Sequence, residues 1–487
     1  MTRPRPLRAR RPTETRRLAL LLMLGALLPT VSGCPFGGRD DVLVLARRGD
    51  TTSLAIAEHY AERAGLASDR ILELTLTIPL GEGTIDAETY RVEIAEAIER
   101  HLILSDSADD VIRLVTTRGL PLEVEDCRDE AIGCQRAALD AALAQLGRVS
   151  EGRAFERVAN PYFRSPEPFE DHLDAHDEGP LRFLVTRLTA SHAEGQSTTD
   201  VPRALADALD RAPRLEEAEA PMWHVAPPAA GRRPLPAGRL LLDPIAARLP
   251  NYGHRVCDGC EAATATGLIL AHEGPIEPLP RLESPGLIVS LLGHSAQERK
   301  GRPSAFTRIV DRWLAQGATG LSLQLEDPFL AEVVRPDAQL EAWARGLTAA
   351  EAHFASLPLL GGRHVFVGDG LRALPSVALP AALDDDRDGD GIADASDNCP
   401  MDPNPDQRDT NEDGFGNLCD ADVDDDGDVD TSRGRIYPVD ARGDLEAVTL
   451  TARNGPYDPD HDLDGDGRVD EHDLLRVQLA LSRPPGR

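Results

Sequence analysis

Aromatic side chains make up only 4 % of the chain, and positive charge is scarce: 52 Lys and Arg face 83 Asp and Glu, for a formal net charge of -31. A polyanion of this kind repels nucleic acid and anionic lipid, which excludes nucleic-acid partners and points to a cation instead. Past the N-terminus no stretch approaches the about 20 apolar residues of a membrane-spanning helix. No phosphate loop, dinucleotide-binding glycine fingerprint, GxSxG or HExxH occurs, so the strong catalytic signatures are missing. Glutamate is nearly absent from the end of the chain, where residues 384–487 hold 27 Asp, 3 Glu and 10 Arg. Acidic segments that only solvate draw on both carboxylates, whereas short carboxylates on tight loops suit a hard, oxygen-seeking ion.

What is present describes a large exported protein. At 487 residues the chain exceeds the size at which one core stops growing, so more than one domain is expected. An Arg-rich segment (Arg3 to Arg17) leads into an apolar run over 18–28 and then Val31-Ser32-Gly33-Cys34, the layout of a signal peptide over residues 1–34. Its end resembles a bacterial lipobox, which implies lipidation of Cys34, a membrane contact through that anchor, and an outer-membrane or cell-surface location, or otherwise a periplasmic or extracellular one. Export places Cys127, Cys134, Cys257, Cys260, Cys399 and Cys419 in an oxidising compartment. Sequence proximity favours the pairs 127 with 134, 257 with 260, and 399 with 419, although six cysteines allow about 15 pairings. A redox or zinc role for Cys257-Asp258-Gly259-Cys260 is the rival, but only His254 lies near to extend a ligand set.

The acidic end carries the sharpest pattern. A twelve-residue calcium loop needs oxygen ligands at positions 1, 3, 5, 7 (a backbone carbonyl), 9 and 12, with Gly at 6 for the turn. Asp386, Asp388, Asp390, Gly391, Ile392, Asp394 and Asp397 meet positions 1, 3, 5, 6, 7, 9 and 12. So do Asp409, Asn411, Asp413, Gly414, Phe415, Asn417 and Asp420, and so do Asp462, Asp464, Asp466, Gly467, Arg468, Asp470 and Asp473. A further loop begins Asp422, Asp424, Asp426, Gly427, Asp428, Asp430 but has Arg433 at position 12, so its site is expected to be weaker or completed from elsewhere. Calcium is the cofactor these ligand sets imply. The apolar residues are too few to offset chain entropy, so bound ions are expected to supply much of the folding energy.

Apolar residues sort the loops into two types. In the first two, position 7 is apolar (Ile392, Phe415), Asp397-Asn398-Cys399-Pro400 follows, and Cys419 falls in the next unit. Residues 384–420 thereby resemble thrombospondin type 3 repeats, a likeness that includes an inter-repeat disulfide. In the later two the apolar residue is at position 8 (Val429, Val469), and Leu474, Leu475, Val477, Leu479 and Leu481 follow the last at helical spacing. Residues 421–487 resemble a dockerin with EF-hand-like loops, which implies a cell-surface or cohesin-like partner. Arg433 and a linker over 436–450 without a clear helix depart from that family, so calcium-stabilised packing is the expected role.

From residue 40 to about 380, short apolar runs alternate with amphipathic segments. Strands are expected over 42–46, 71–76, 111–116, 183–186, 287–292, 320–325 and 364–367, and helices over 53–64, 86–105, 128–146, 201–212, 305–316 and 349–356, with Ser53 and Asp86 as N-caps. This pattern predicts an α/β domain, a multi-strand sheet with helices on both faces, followed by the loop-rich calcium region. Thr116-Thr117-Arg118-Gly119-Leu120-Pro121, Asn160-Pro161-Tyr162-Phe163, Val185-Thr186-Arg187-Leu188, Gly317-Ala318-Thr319-Gly320 with Glu326-Asp327-Pro328, and Val367-Gly368-Asp369 resemble an uncharacterised family of exported bacterial proteins, which implies no activity. More faintly, the last third resembles gingipain-type cysteine peptidases of caspase-like fold, where a His ending one strand activates a Cys ending the next. Here the run over 268–271 leads into His272 and the run over 287–292 into His294 and Ser295; the Cys is missing, and a non-catalytic domain is the expectation. Arg118 and Arg187, at strand ends, could clamp a carboxylate or phosphate, or else form intramolecular salt bridges.

Overall fold

A computed structural model describes residues 39–79, 83–127, 134–147, 157–176, 179–188, 304–315, 318–326, 329–373, 386–431 and 443–482, with four strands and a few further positions between 222 and 293. The strands in chain order are β1 (Val42–Arg47), β2 (Ile71–Leu74), β3 (Thr84–Asp86), β4 (Arg113–Thr117), β5 (Glu123–Asp126), β6 (Gln135–Ala138), β7 (Val158–Ala159), β8 (Leu184–Leu188), β9 (Met222–Ala226), β10 (Arg255–Asp258), β11 (Thr264–Leu270), β12 (Arg281–Gly293), β13 (Ala318–Gln324), β14 (Leu359–Leu360) and β15 (His364–Gly368). Ten of them make one sheet in the order β10-β9-β11-β12-β13-β15-β8-β4-β1-β2. The seven strands expected from the sequence all lie in it.

Every neighbouring pair in this sheet is parallel except β13 with β15, where Gly320 faces Gly368 and Gln324 faces His364. That one antiparallel step divides the sheet into two parallel halves running in opposite directions. Their carboxyl ends, where open α/β sheets bind ligands, therefore lie at opposite edges.

Strand β1 shows why helices cover both faces. All six of its residues are buried, as a central parallel strand requires. Val42, Val44 and Ala46 pack with Ile56, Ala57 and Tyr60 of the helix Thr51–Ala64, while Leu43 and Leu45 join Ile94, Ile98 and Leu102 of the helical segment on the other side. Asp86 caps that segment as expected. The first helix is instead capped by Asp50, which accepts from the amides of Thr52 and Ser53 at 3.0 and 3.1 Å. Ser53 lies inside the first turn and uses its hydroxyl on the Arg47 amide and the Thr117 hydroxyl, each at 2.7 Å, tying the helix to two strand ends.

Among the described residues of the helix expected over 128–146, only Leu139–Ala144 is helical. Residues Gln135–Ala138 pair antiparallel with Glu123–Asp126, and the Cys127–Cys134 disulfide joins the two strands, so pairing overrides the helical propensity of the alanines. The helix expected over 201–212 lies outside the described residues, as do residues 1–38 with Cys34. The helix Pro336–Ala344 was not anticipated: all nine of its residues are buried, which removes the polar stripe by which a helix is recognised. Among the described residues no helix is long and apolar enough to cross a membrane.

Residues 39–487 form one compact unit, and the acidic tail docks against that buried helix. Arg387, between the first two carboxylates of the first loop, donates to Glu341 at 2.8 Å and to the Arg164 carbonyl at 2.6 Å. Arg164 and Arg248 both donate to the Met401 carbonyl and pair with Asp337. Burial disfavours the charge on Glu341, yet Arg248, Arg387 and Arg345 around it hold its carboxyl down at about 2. At the other end of the tail, Leu475 and Leu479 of the helix Glu471–Ala480 enter the main core, and Arg335 donates to the Leu479 carbonyl at 2.7 Å.

Candidate metal centres

Four loops in the tail share one backbone design. At position 6 of each, a glycine sits at positive φ (Gly391 97°, Gly414 99°, Gly427 98°, Gly467 88°), the conformation that needs no Cβ. From there its amide donates to the position 1 carboxylate: Gly391 to Asp386 at 3.0 Å, Gly414 to Asp409 at 3.1 Å, Gly427 to Asp422 at 2.8 Å and Gly467 to Asp462 at 3.1 Å. Position 7 amides likewise donate to position 5, from Ile392 to Asp390, Phe415 to Asp413, Asp428 to Asp426 and Arg468 to Asp466. The chain thus curls with its carboxylates turned inward.

The two loop types differ in wiring. In the first two, the position 9 side chain accepts the position 2 amide: Asp394 from Arg387 at 2.7 Å and Asn417 from Thr410 at 2.9 Å. In the last, the position 12 carboxylate of Asp473 takes that role, accepting from Leu463 at 2.8 Å, and Asp470 caps the following helix. The disulfide Cys399–Cys419 links the first two units. The later loops carry a small core of Ala421, Val429, Val448, Leu463 and Val477 between the helices Asp444–Asn454 and Glu471–Ala480. The first of these helices corrects the expectation of a helix-free linker over 436–450.

In four places, three carboxylates bring an oxygen within 4.8 Å of one another: Asp386, Asp388 and Asp390; Asp413, Asp420 and Asp425; Asp422, Asp424 and Asp444; and Asp462, Asp464 and Asp473. Eight of the carboxylates expected as ligands at positions 1, 3, 5 and 12 are among them, with Asp422 and Asp424 from the incomplete loop. Asp425 and Asp444 were not expected, because neither stands at a ligand position of its own loop. A fifth grouping, of Glu125 with Cys127 and Cys134, is no ligand set, since those thiols are joined in a disulfide. Asp397 accepts from the Cys399 amide and the Gln407 side chain through one oxygen; its other oxygen is buried with no hydrogen-bond partner.

Crowding shows in the proton affinities. Burial, then repulsion from Asp390 and Asp397, pushes Asp388 up to about 7. Burial, then Asp413, Asp422 and Asp425, does the same to Asp420, and burial, then Asp424 and Asp422, raises Asp444 to about 6. Asp473 is raised too, chiefly by burial. Asp388 is only 3 % exposed and has one oxygen with no hydrogen-bond partner. Carboxylates held this way stay ionised at neutral pH when a cation joins them.

Of the α/β candidates, only Arg118 and Arg187 fall among the described residues. Arg187 is fully buried, with its fork on Asp140 (2.9 and 3.2 Å) and on the carbonyls of Leu120 and Pro121, so the salt-bridge alternative, not a ligand clamp, describes it. Arg118 follows β4, whose neighbour β1 marks the point where strand order reverses. His272 and His294 follow β11 and β12, which are parallel neighbours in the other half of the sheet; with Ser295 they lie outside the described residues. Those strand ends and the end of β4 are at opposite edges of the sheet. Cys260 is also outside the described residues. A buried Ser322–His353 hydrogen bond of 2.7 Å resembles a nucleophile and base, but both residues are sealed at 1 % exposure or less, and burial pushes His353 well below its ordinary value. Comparison with known proteins returns no matching family model, no matching characterised protein and no matching solved structure.

Proposed function

We propose that this is an exported, lipid-anchored calcium-binding protein whose ions are structural, holding the acidic tail folded against an α/β domain that carries no assigned reaction. The carrying observation is the repetition: carboxylate clusters at four loops of one backbone design, with oxygens within 4.8 Å of one another, and in two of them a buried oxygen without a hydrogen-bond partner, on Asp388 and Asp444. All-oxygen donor sets of this kind suit Ca2+. Export and the anchor at Cys34 are supported by the N-terminal sequence alone. The loop types support thrombospondin-type and dockerin-like units, and the second of these a cell-surface partner.

Calorimetric titration of the full chain with calcium tests this. Saturable binding at roughly 10⁻⁶ to 10⁻³ M is expected, with no comparable response to a monovalent salt. Because Asp388 and Asp420 sit near 7 in the ion-free fold, calcium must displace protons there, so binding releases protons and weakens as the pH falls from 7 to 5. The sign reverses without the ion: raised carboxyl values stabilise the ion-free fold below about pH 4 and cease to do so as the pH rises to about 7. Absence of saturable calcium binding would rule the proposal out.

A second reading, a surface peptidase with the tail as attachment module, is favoured by one observation: β11 and β12, the strands that precede His272 and His294 in the sequence, are parallel neighbours with Leu270 opposite Ser290. Under it, peptide hydrolysis by the full chain falls at least about 100-fold in His272→Ala or His294→Ala. A wild-type chain inactive on a broad peptide library would leave only the first reading.

A further inference from the structure

We propose that Asp422, Asp424 and Asp444 form a calcium site of their own, closed by Asp444 rather than by position 12 of the loop, across an eleven-residue insertion. The inference rests on the calcium reading of the tail and extends it to the loop that Arg433 had seemed to spoil.

This loop closes by the same contacts as the last one. In the last loop, the position 9 amide of Asp470 donates to the closing Asp473 carboxylate at 2.8 Å; in this one, the position 9 amide of Asp430 donates to Asp444 at 2.8 Å. The next amide repeats the match, Leu474 donating to the Asp470 carbonyl at 3.3 Å and Leu445 to the Asp430 carbonyl at 3.2 Å. Four residues beyond each closing Asp stands a buried valine, Val477 and Val448, and both belong to the same small core. In these three relations, the position 9 amide, the following amide and the buried valine, Asp444 takes the place of Asp473. It arrives fourteen residues after position 9 instead of three, so eleven residues have been inserted without disturbing the closure.

A cluster of acids alone would not make a site. Here a second observation points to a ligand: Asp444 is 1 % exposed, and its Oδ1 has no hydrogen-bond partner. In the last loop the corresponding carboxylate spends that oxygen on the amides of Leu463 and Asp464. An unpaired, buried carboxylate oxygen beside Asp422 and Asp424 is a ligand position for a divalent cation that takes oxygen donors. Occupancy would tie the first turn of the helix Asp444–Asn454 to a loop that begins more than twenty residues earlier.

Calcium stoichiometry of the full chain, by equilibrium dialysis with ⁴⁵Ca2+, decides it. Asp444→Asn should lose one ion per chain, with the other ions retained, and Arg433→Asp should leave the count unchanged. A gain of one ion in Arg433→Asp would show that position 12 is the ordinary closing place and would overturn the assignment, whether or not Asp444→Asn folds. A full wild-type count in folded Asp444→Asn would also overturn it. A wild-type chain that binds no calcium would fail the general reading, which is a different outcome from either.

Discussion

Chelating calcium from the full chain is expected to unfold residues 384–487 while leaving the ten-stranded sheet in place. Each ion held at about 100 times its dissociation constant adds about 2.7 kcal/mol. Three or four ions then contribute about 8 to 11 kcal/mol, comparable to the whole stability of an ordinary domain. Five buried residues in the small core of the tail cannot replace that. Trypsin reads the outcome through Arg387, Arg408, Arg453, Arg468 and Arg476, where cleavage should accelerate by at least about 1,000-fold on chelation. Helical signal from 444–454 and 471–480 should fall in the far-ultraviolet circular dichroism. Because Arg387 sits between Asp386 and Asp388, and Leu475 and Leu479 reach the main core, amides of the helix Pro336–Ala344 should lose exchange protection as well. Unchanged cleavage and an unchanged spectrum would rule out a structural role for the ion.

Asp140→Ala is expected to destabilise the α/β region by about 3 to 5 kcal/mol, because it strands the fully buried Arg187 without a counter-charge. Thr116 also loses one of its two acceptors, since its hydroxyl donates to Asp140 at 3.0 Å as well as to the Thr186 carbonyl at 3.3 Å. Replacing both partners, Asp140→Leu with Arg187→Met, should recover most of the loss, because burying two apolar groups avoids the cost of taking two charges out of water. Urea midpoints in calcium-containing buffer measure this, apart from any effect on the tail. A single-variant cost under about 1 kcal/mol would mean that the pair is solvated or otherwise compensated.

Distance along the chain separates the features legible in the sequence from those that were not. Strands β1, β4, β8 and β13 were legible as apolar runs because burial on both faces leaves few polar positions. Their order was not, and neither was the reversal at β15, since a strand of five residues carries no mark of its neighbours. The buried helix Pro336–Ala344 escaped for the opposite reason: neighbours on every side abolish the periodicity that would reveal it.

The tail divides in the same way. Gly at position 6, carboxylates at 1, 3 and 5 and the turn between them are interactions within about half a dozen residues, so composition and spacing were enough to determine each loop. The pairing of Cys399 with Cys419, twenty residues apart, could also be anticipated. Tertiary structure alone decided the rest. Asp425 joins a cluster with Asp413 and Asp420 of the preceding loop, Asp444 reaches back across an insertion, Arg387 leaves its loop for Glu341, and Arg187 finds Asp140 rather than a ligand. Each of these depends on where a distant segment packs. A charged side chain can be recognised in a sequence, but its partner is selected by the burial that brings the two together and makes an unpaired charge too costly to keep.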